Sequence, residues 1–313
     1  MTAPPKRMKL ILNPNSKPLR VALFLQSLIH RFEAGGYEVD VQKTRYAGEA
    51  VEIARAAKAS GRYDVVVAGG GDGTVNEVLN GLMPDPIPMG ILPLGTSNVL
   101  ARALNIPLLP IKAADAINTG IIKRIDVGLA NGRYFAIMLS CGYDAYAIEK
   151  TSLRVKRFTG KYAYIWAGIK SIYHFQAPRI HIEADGRPFD SDAMIIVISN
   201  AHLYGGNYRL TPDAKIDDGL FDVFIYNGTS ITRLIYYGLR VLSHLPLNYR
   251  DTIRFRAREL KLESKHRVLY QADGDLFGQL PVTVQVIPRA LEVVGVKQPA
   301  EPGMLWRLIK RHT

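Results

Sequence analysis

Two short acidic stretches carry the residues best suited to chemistry. In "VVVAGGGDGTVNEVLNG", Val65 to Gly81, glycines and a threonine surround Asp72. Far downstream, "YQADGDLFG" places Asp273 and Asp275 two residues apart. Glycines at Gly69, Gly70, Gly71 and Gly73 permit positive φ and let backbone N–H groups approach a ligand with no Cβ in the way. A helix expected over Thr74–Met83 would aim its N-terminus at the same place, and a helix N-terminus favours an anion. This is a phosphate cradle that holds an acid. Neither G-x-x-x-x-G-K-[ST] nor G-x-G-x-x-G is present. A carboxylate beside phosphate needs a cation between them, and Mg²⁺ binds one or two carboxylates while bridging phosphates. Asp72 therefore predicts Mg–nucleotide rather than bare phosphate. A tight strand–helix turn with glycines for packing is the plainer alternative for any one such loop.

Phosphoryl transfer to an alcohol needs a group that accepts the hydroxyl proton. Asp273 and Asp275 are both candidates, against the simpler reading of an Asp-Gly turn between strands. A third acidic cluster, "AKIDDGLFDV" at Ala214–Val223, holds Asp217, Asp218 and Asp222. Its default reading is a solvated turn before a strand. The chain has no H-E-x-x-H, no G-x-S-x-G and no Cys/His set for zinc. His202, in a Gly-rich loop, reads as structural.

Positioning these residues falls to elements that the periodicity announces. Lys9–Leu12 is a short strand ending at Asn13-Pro14, and Leu19–Ala34 has helical apolar spacing ended by Gly35-Gly36. Tyr37–Lys43 alternates as a strand, and Gly48–Ser60 is an alanine-rich helix. Tyr63–Ala68 is a continuous apolar strand of the kind buried on both faces of a parallel sheet, and Met89–Leu92 is another. Strand–helix alternation with short connections implies a parallel α/β sheet, whose ligands bind at the carboxyl ends of its strands. Three of those ends carry unusual residues: Asn13–Ser16, Gly69–Thr74 and "PLGTSN", Pro93–Asn98. Their convergence on one edge says more than any single loop.

From Asp126 to about Val296 the pattern turns to strands: Asp126–Ala130, Tyr134–Cys141, Arg179–Ala184, Ala193–Ser199, Gly219–Tyr226, Thr252–Glu263, Val268–Ala272 and Val282–Val294. Asn131-Gly132, Asp185-Gly186 and Asp218-Gly219 supply turns. Helical insertions are expected over Lys161–Phe175 and Ser230–His244. The expected division is an α/β domain over 1–125, joined by the tail 297–313, and a largely antiparallel, β-sandwich-like domain over 126–296.

The 313 residues carry a formal net charge of +12, which favours acidic partners. No apolar run approaches the length of a membrane span, no signal-peptide core precedes the first strand, and the single cysteine, Cys141, fits a reducing compartment. These point to a cytoplasmic protein. Basic residues and aromatics interleave without acids from Lys150 to Ile182, including Phe158, Tyr162, Tyr164, Trp166, Tyr173 and Phe175, and again from Val223 to Arg250. Such stretches suit an anionic membrane surface, so peripheral membrane association is expected. A solvated face over core aromatics is the alternative. No nucleic-acid-binding signature is present, so no nucleic-acid partner is expected.

"GGGDGTVNEVLNG" followed by "GILPLGTSNVLARAL" resembles the catalytic domain of the diacylglycerol-kinase-type lipid kinases, which include sphingosine and ceramide kinases, and most of all their soluble bacterial branch. The "GGDGT" core is shared with NAD kinases and related to phosphofructokinases; Asn76-Glu77 and "PLGTSN…AR" favour the lipid branch. The resemblance extends over the whole chain and implies an ATP-dependent, Mg²⁺-dependent kinase of a lipid alcohol, with a cleft between its two domains. It places ATP against Asn13, Pro14, Asn15, Ser16, Lys17, Thr44, Gly71, Asp72, Gly73, Thr74, Val75, Asn76, Glu77 and Thr96. Lys17 stands where the family usually has glycine. The family's Asp-Gly-Glu is here Asp273-Gly274-Asp275, one methylene shorter at its proton acceptor, so either acid could be the base. The resemblance also implies that Asp273 joins Asp72 in a water–Mg²⁺ network, and that Asp218 with the carbonyls of Lys215 and Leu220 holds a structural Mg²⁺ or Ca²⁺. Oxygen-only ligation suits either ion. An NAD-kinase-like enzyme and a non-catalytic nucleotide- or lipid-binding regulator are the competing readings, and a homodimer is compatible with all three.

Overall fold

A computed structural model describes residues 5–150, 175, 177–228, 230–243 and 252–296. The basic, aromatic stretch expected as a helix over Lys161–Phe175 lies almost wholly outside them, as does the tail 297–313. The first half alternates as its periodicity requires: β1 (Lys6–Leu12), α1 (Pro18–Ala34), β2 (Tyr37–Lys43), α2 (Glu49–Ala59), β3 (Val65–Gly70), α3 (Asp72–Leu82) and β4 (Met89–Pro93). These four strands are parallel, in the order β2-β1-β3-β4. Val65 to Ala68 are buried on both faces, because α2 and α3 cover one another and the sheet from one side while α1 packs with α5 (Pro110–Asn118). Gly81 lets α3 approach α2 closely; a Cβ there would lie 2.4 Å from the Val51 carbonyl oxygen.

Two short helices, α4 (Val99–Ala103) and α5, lead to β5 (Ile122–Ala130). The strands that follow are β6 (Arg133–Phe135), β7 (Met138–Gly142), β8 (Ile180–Ala184), β9 (Arg187–Ser191), β10 (Ile195–Ser199), β11 (Phe221–Tyr226), β12 (Thr252–Ala257), β13 (Glu259–Glu263), β14 (Leu269–Ala272), β15 (Asp275–Gln279) and β16 (Val282–Val294). Helix α6 (Tyr143–Lys150) follows β7, and α7 (Ile231–Leu242) follows β11. One sheet of six strands, β12-β11-β10-β7-β14-β15, faces a second that includes β16, β13, β8 and β9. Their inner faces share an apolar core of Phe135, Phe221, Ile198, Leu260 and Val284, in which Phe135 and Phe221 stack at 5.8 Å. This is the β-sandwich the strand-rich second half implied.

The two halves are not separate sheets. β16 pairs antiparallel with β13 and β5, then runs parallel to β4 through Val293 and Val294. The parallel sheet thus continues into one layer of the sandwich. Two expected single strands each prove to be two: Tyr134–Cys141 divides into β6 and β7, and Thr252–Glu263 into β12 and β13, each pair split between the sheets. Alternation of apolar residues cannot reveal a strand that changes sheet midway. Three two-residue turns have both residues at positive φ: Asn131-Gly132, Asp185-Gly186 and Asp273-Gly274. That is the demand of a type I′ hairpin, met by residues that tolerate it.

Candidate active site

Parallel register puts the carboxyl ends of β1, β3 and β4 side by side: Leu12 pairs with Gly69 and Gly70 with Pro93. From β1 the chain passes to β2 on one side, while β3 lies on the other. This is a topological switch point, where open α/β sheets bind ligands. The ends are stitched together. The Asn13 backbone N–H donates to the Gly69 carbonyl at 2.8 Å, and its Nδ2 donates to Thr74 Oγ1 at 3.0 Å. Asn13 Oδ1 accepts from the Asn15 N–H at 2.9 Å, and the Leu94 N–H donates to the Gly70 carbonyl at 2.9 Å. Pro14 and Ser16 complete the loop, and exposed Lys17 ends it at φ 52°, just before α1. That is the left-handed conformation in which glycine is most at ease.

The glycines serve close packing here, which corrects the expectation of positive φ. None of Gly69, Gly70, Gly71 or Gly73 adopts it. Gly69 and Gly70 belong to β3, and α3 begins at Asp72, two residues earlier than its apolar spacing suggests. A Cβ on Gly70 would lie 2.5 Å from Thr74 Oγ1, and one on Gly95 would lie 2.4 Å from the Gly71 Cα. The β3 and β4 loops therefore meet backbone to backbone. Asn98 closes the second loop: its Oδ1 accepts from the Gly95 N–H at 2.9 Å and its Nδ2 donates to the Gly95 carbonyl at 3.0 Å. Thr96 is exposed on this loop. Gly95→Ala forces the facing backbone apart and is expected to lower stability by about 1–3 kcal/mol, read as a shift in urea midpoint with the denaturant slope unchanged.

Asp72 is where the structure changes the reading most. Its Oδ1 accepts the Val99 N–H at 2.6 Å, at the start of α4. Burial pushes this carboxyl up, while hydrogen bonds from the backbone of Val99, Leu100 and Asn98 pull it down. The acid in the phosphate loop thus caps a neighbouring helix. Thr74 and Asn76 are buried on α3, and Val75 is part of the apolar core. Glu77 Oε1 accepts the Gly48 N–H at 3.0 Å and so secures the start of α2. Thr44 is buried at the end of β2, its N–H on the Leu12 carbonyl at 2.9 Å.

The β14–β15 hairpin brings the second acidic pair to α3, and the two carboxylates have opposite surroundings. Asp273 Oδ2 accepts from Asn76 Nδ2 at 2.9 Å and the Ala136 N–H at 2.8 Å. Its Oδ1 accepts from the Ile137 and Met138 N–H groups at 2.9 and 3.1 Å. Burial pushes this carboxyl up to about 6, against the pull of those donors. With four donors on two oxygens, Asp273 is a clamp between α3 and the β6–β7 connection. Asp275 is exposed, and its Oδ2 lies 3.4 Å from the position a Cβ on Gly73 would take. It therefore stands over the first turn of α3 with its carboxylate turned to solvent.

Several partners escaped sequence reasoning. Asn80 donates to the Tyr134 carbonyl at 2.9 Å and accepts from the Tyr134 N–H at 2.8 Å. Its spacing of four from Asn76 is the one available signal. Gln271, in the apolar run "VLYQA", is buried; a polar residue in such a strand marks a partner without naming it.

The acidic residues of the expected second metal site form ion pairs. Asp218 pairs with Arg256 through Oδ2 and accepts the Leu220 N–H at 3.3 Å through Oδ1. Arg256 also reaches Asp222 at 3.3 Å, and Lys123 pairs with Asp217 at 3.0 Å. Lys215 is exposed beside them. The cation that Asp218 and Asp222 face is the Arg256 guanidinium. Among the described residues no group of three His, Cys, Asp or Glu is placed to hold a metal ion. Asp218, the one side-chain ligand that the resemblance assigns there, is thus paired with Arg256; the other two are the backbone carbonyls of Lys215 and Leu220.

A parallel sheet with phosphate-type strand ends, continuous with a β-sandwich that delivers a carboxylate to them, is the architecture of a two-part kinase. The chain belongs to the diacylglycerol kinase family. The diacylglycerol kinase catalytic domain family matches residues 7–130, and the YegS C-terminal NAD kinase beta sandwich-like domain matches residues 137–295. Among its relatives, a diacylglycerol kinase of Bacillus subtilis (strain 168) is 33% identical over 299 residues, covering 95% of this chain and 98% of the relative. A diacylglycerol kinase of Staphylococcus carnosus (strain TM300) is 29% identical, over 92% of this chain and 94% of the relative. A solved structure of a diacylglycerol kinase from Bacillus anthracis strain Sterne has a TM-score of 0.74 at 22% identity, covering 96% of this chain and 99% of that one. A second structure from that strain reaches a TM-score of 0.81 at 24% identity. At such identity these two likenesses speak for the fold.

Proposed function

We propose that this protein transfers the γ-phosphate of ATP to the hydroxyl of a lipid alcohol, diacylglycerol being the first candidate. The observation that carries the reading is the contrast within one turn: Asp273 is saturated by four N–H donors, while Asp275 stands exposed over Gly73. The β3 and β4 loops bind the nucleotide phosphates, with exposed Lys17 flanking the β1 loop. Asp275 accepts the proton of the lipid hydroxyl as its oxygen bonds to the γ-phosphorus; the bond from that phosphorus to the bridging oxygen breaks, and ADP leaves. Asp72 is the carboxylate that would hold Mg²⁺, since burial already disfavours its charge and a nearby cation offsets that cost. When bound, Mg²⁺ neutralises charge on the phosphates.

Membrane-surface action is the second part of the proposal. Among the described residues no helix is long and apolar enough to cross a membrane. Helix α7 packs inward through Tyr237, which meets Tyr226 edge to face at 5.3 Å. Outward it presents Leu239 at 58%, Tyr236 at 46% and Leu242 at 38% exposure. It carries Arg233 and Arg240 and no acid. An apolar face with arginines suits the boundary of an anionic bilayer. Leu239→Glu is therefore expected to weaken binding to phosphatidylglycerol vesicles by about tenfold in a flotation assay, with unchanged melting. The activity itself is tested by incubating the protein with labelled ATP, Mg²⁺ and vesicles of a total lipid extract, then identifying the labelled product. Label in NAD, or none in any lipid, overturns the lipid-kinase reading.

A further inference from the structure

We infer that Gln271 is the positioning residue for Asp275, an inference that rests on the assignment of Asp275 as base. Gln271 is the penultimate residue of β14, one pair before the Ala272–Asp275 pair that closes the hairpin; it lies opposite Ser140 of β7 and is 1% exposed. Its carboxamide is held from three sides. Oε1 accepts the Gly274 N–H at 2.9 Å, within the turn itself and one residue before Asp275. Nε2 donates to Ser140 Oγ at 2.6 Å and to Asp144 Oδ2 at 3.0 Å. The Ser140 hydroxyl in turn donates to Asp144, on the first turn of α6.

The partners fix which way the amide faces. Flipped, it would set its oxygen against the Asp144 carboxylate and its NH₂ against the Gly274 N–H, two repulsive contacts in place of two hydrogen bonds. Donation therefore runs one way, from Gly274 at the hairpin tip through Gln271 on β14 and Ser140 on β7 to the Asp144 carboxylate on α6. Asp273 fixes the other side of that tip through its four donors. Asp275 leaves the turn between these two anchors. Its own side chain is exposed, so its position comes from the backbone that these anchors hold. The turn's conformation follows from Asp-Gly at positive φ, but its direction relative to α3 does not. Pairing with β7 holds β14 only through Ala272, so the tip beyond it depends on these anchors, and placing a base needs sub-ångström control.

The test exchanges donor and acceptor. Gln271→Glu sets a carboxylate beside Asp144, and kcat for lipid phosphorylation is expected to fall by about 10²-fold, with KM for Mg-ATP and lipid unchanged. Adding Asp144→Asn restores a donor to the new carboxylate and the total charge of the cluster. It is expected to recover most of the loss, the mark of direct coupling. Wild-type kcat in Gln271→Glu, or no recovery in a double variant with native melting, overturns the inference. Ser140→Ala, a smaller change, should lower kcat in the same direction if Gln271→Glu proves too unstable to assay. Hydrogen exchange at the Gly274 amide needs no substrate: it should quicken in Gln271→Leu, and unchanged exchange overturns the inference even if the wild type phosphorylates no lipid. Quickened exchange with an inactive wild type upholds the anchor and overturns the kinase reading alone.

Discussion

Asp275→Asn is expected to lower turnover of the lipid substrate by about 10²- to 10⁴-fold, the range a positioned general base supplies, while leaving the fold and Mg-ATP binding intact. The side chain is exposed at the first position of β15. The substitution keeps its shape and removes only its capacity to take a proton. Steady-state kinetics alongside thermal melting and nucleotide titration separate these effects. Asp275→Glu restores the family's longer acid and should retain most of the activity, because the carboxylate still reaches from the same turn. Full turnover in Asp275→Asn, with loss in a well-folded Asp273→Asn, would reverse the roles assigned to the two acids.

Asp273→Ala should instead act on stability. It strips the acceptor from Asn76 Nδ2 and from the N–H groups of Ala136, Ile137 and Met138. Four donors then face a gap, and each hydrogen bond to a charged group contributes about 1.5–3 kcal/mol, so a loss of about 3 kcal/mol or more is expected even after relaxation. Against a typical domain stability of about 5–15 kcal/mol this is a large fraction. Asp273→Asn is no remedy, since its NH₂ would point at N–H groups on one side of the clamp. Urea unfolding measures the change, and a loss below about 1 kcal/mol would show that water or neighbouring carbonyls replace the carboxylate. Kinetics should fall with the folded fraction, a pattern distinct from that of Asp275→Asn.

The sequence by itself determined what short-range physics controls. Strand and helix alternation through β4, the Asn131-Gly132 and Asp185-Gly186 hairpin turns, and the meeting of three loops at one sheet edge were all legible. Each depends on residues within a few positions, or on the parallel pairing that alternation imposes. Tertiary structure alone decided what each acid faces. Asp72 caps α4, 27 residues away, and Asp273 is filled by donors 135 to 197 residues away. Arg256 reaches Asp218 from 38 residues beyond it. Nor could the pattern show that β16 carries the parallel sheet into the sandwich, or that Gln271 holds the hairpin tip. The physical reason is the same throughout. A residue's type sets the hydrogen bonds and charge it offers and the backbone shapes it tolerates. Which group accepts that offer is fixed only when distant segments pack, and in this protein that packing separates a clamping aspartate from one exposed to solvent.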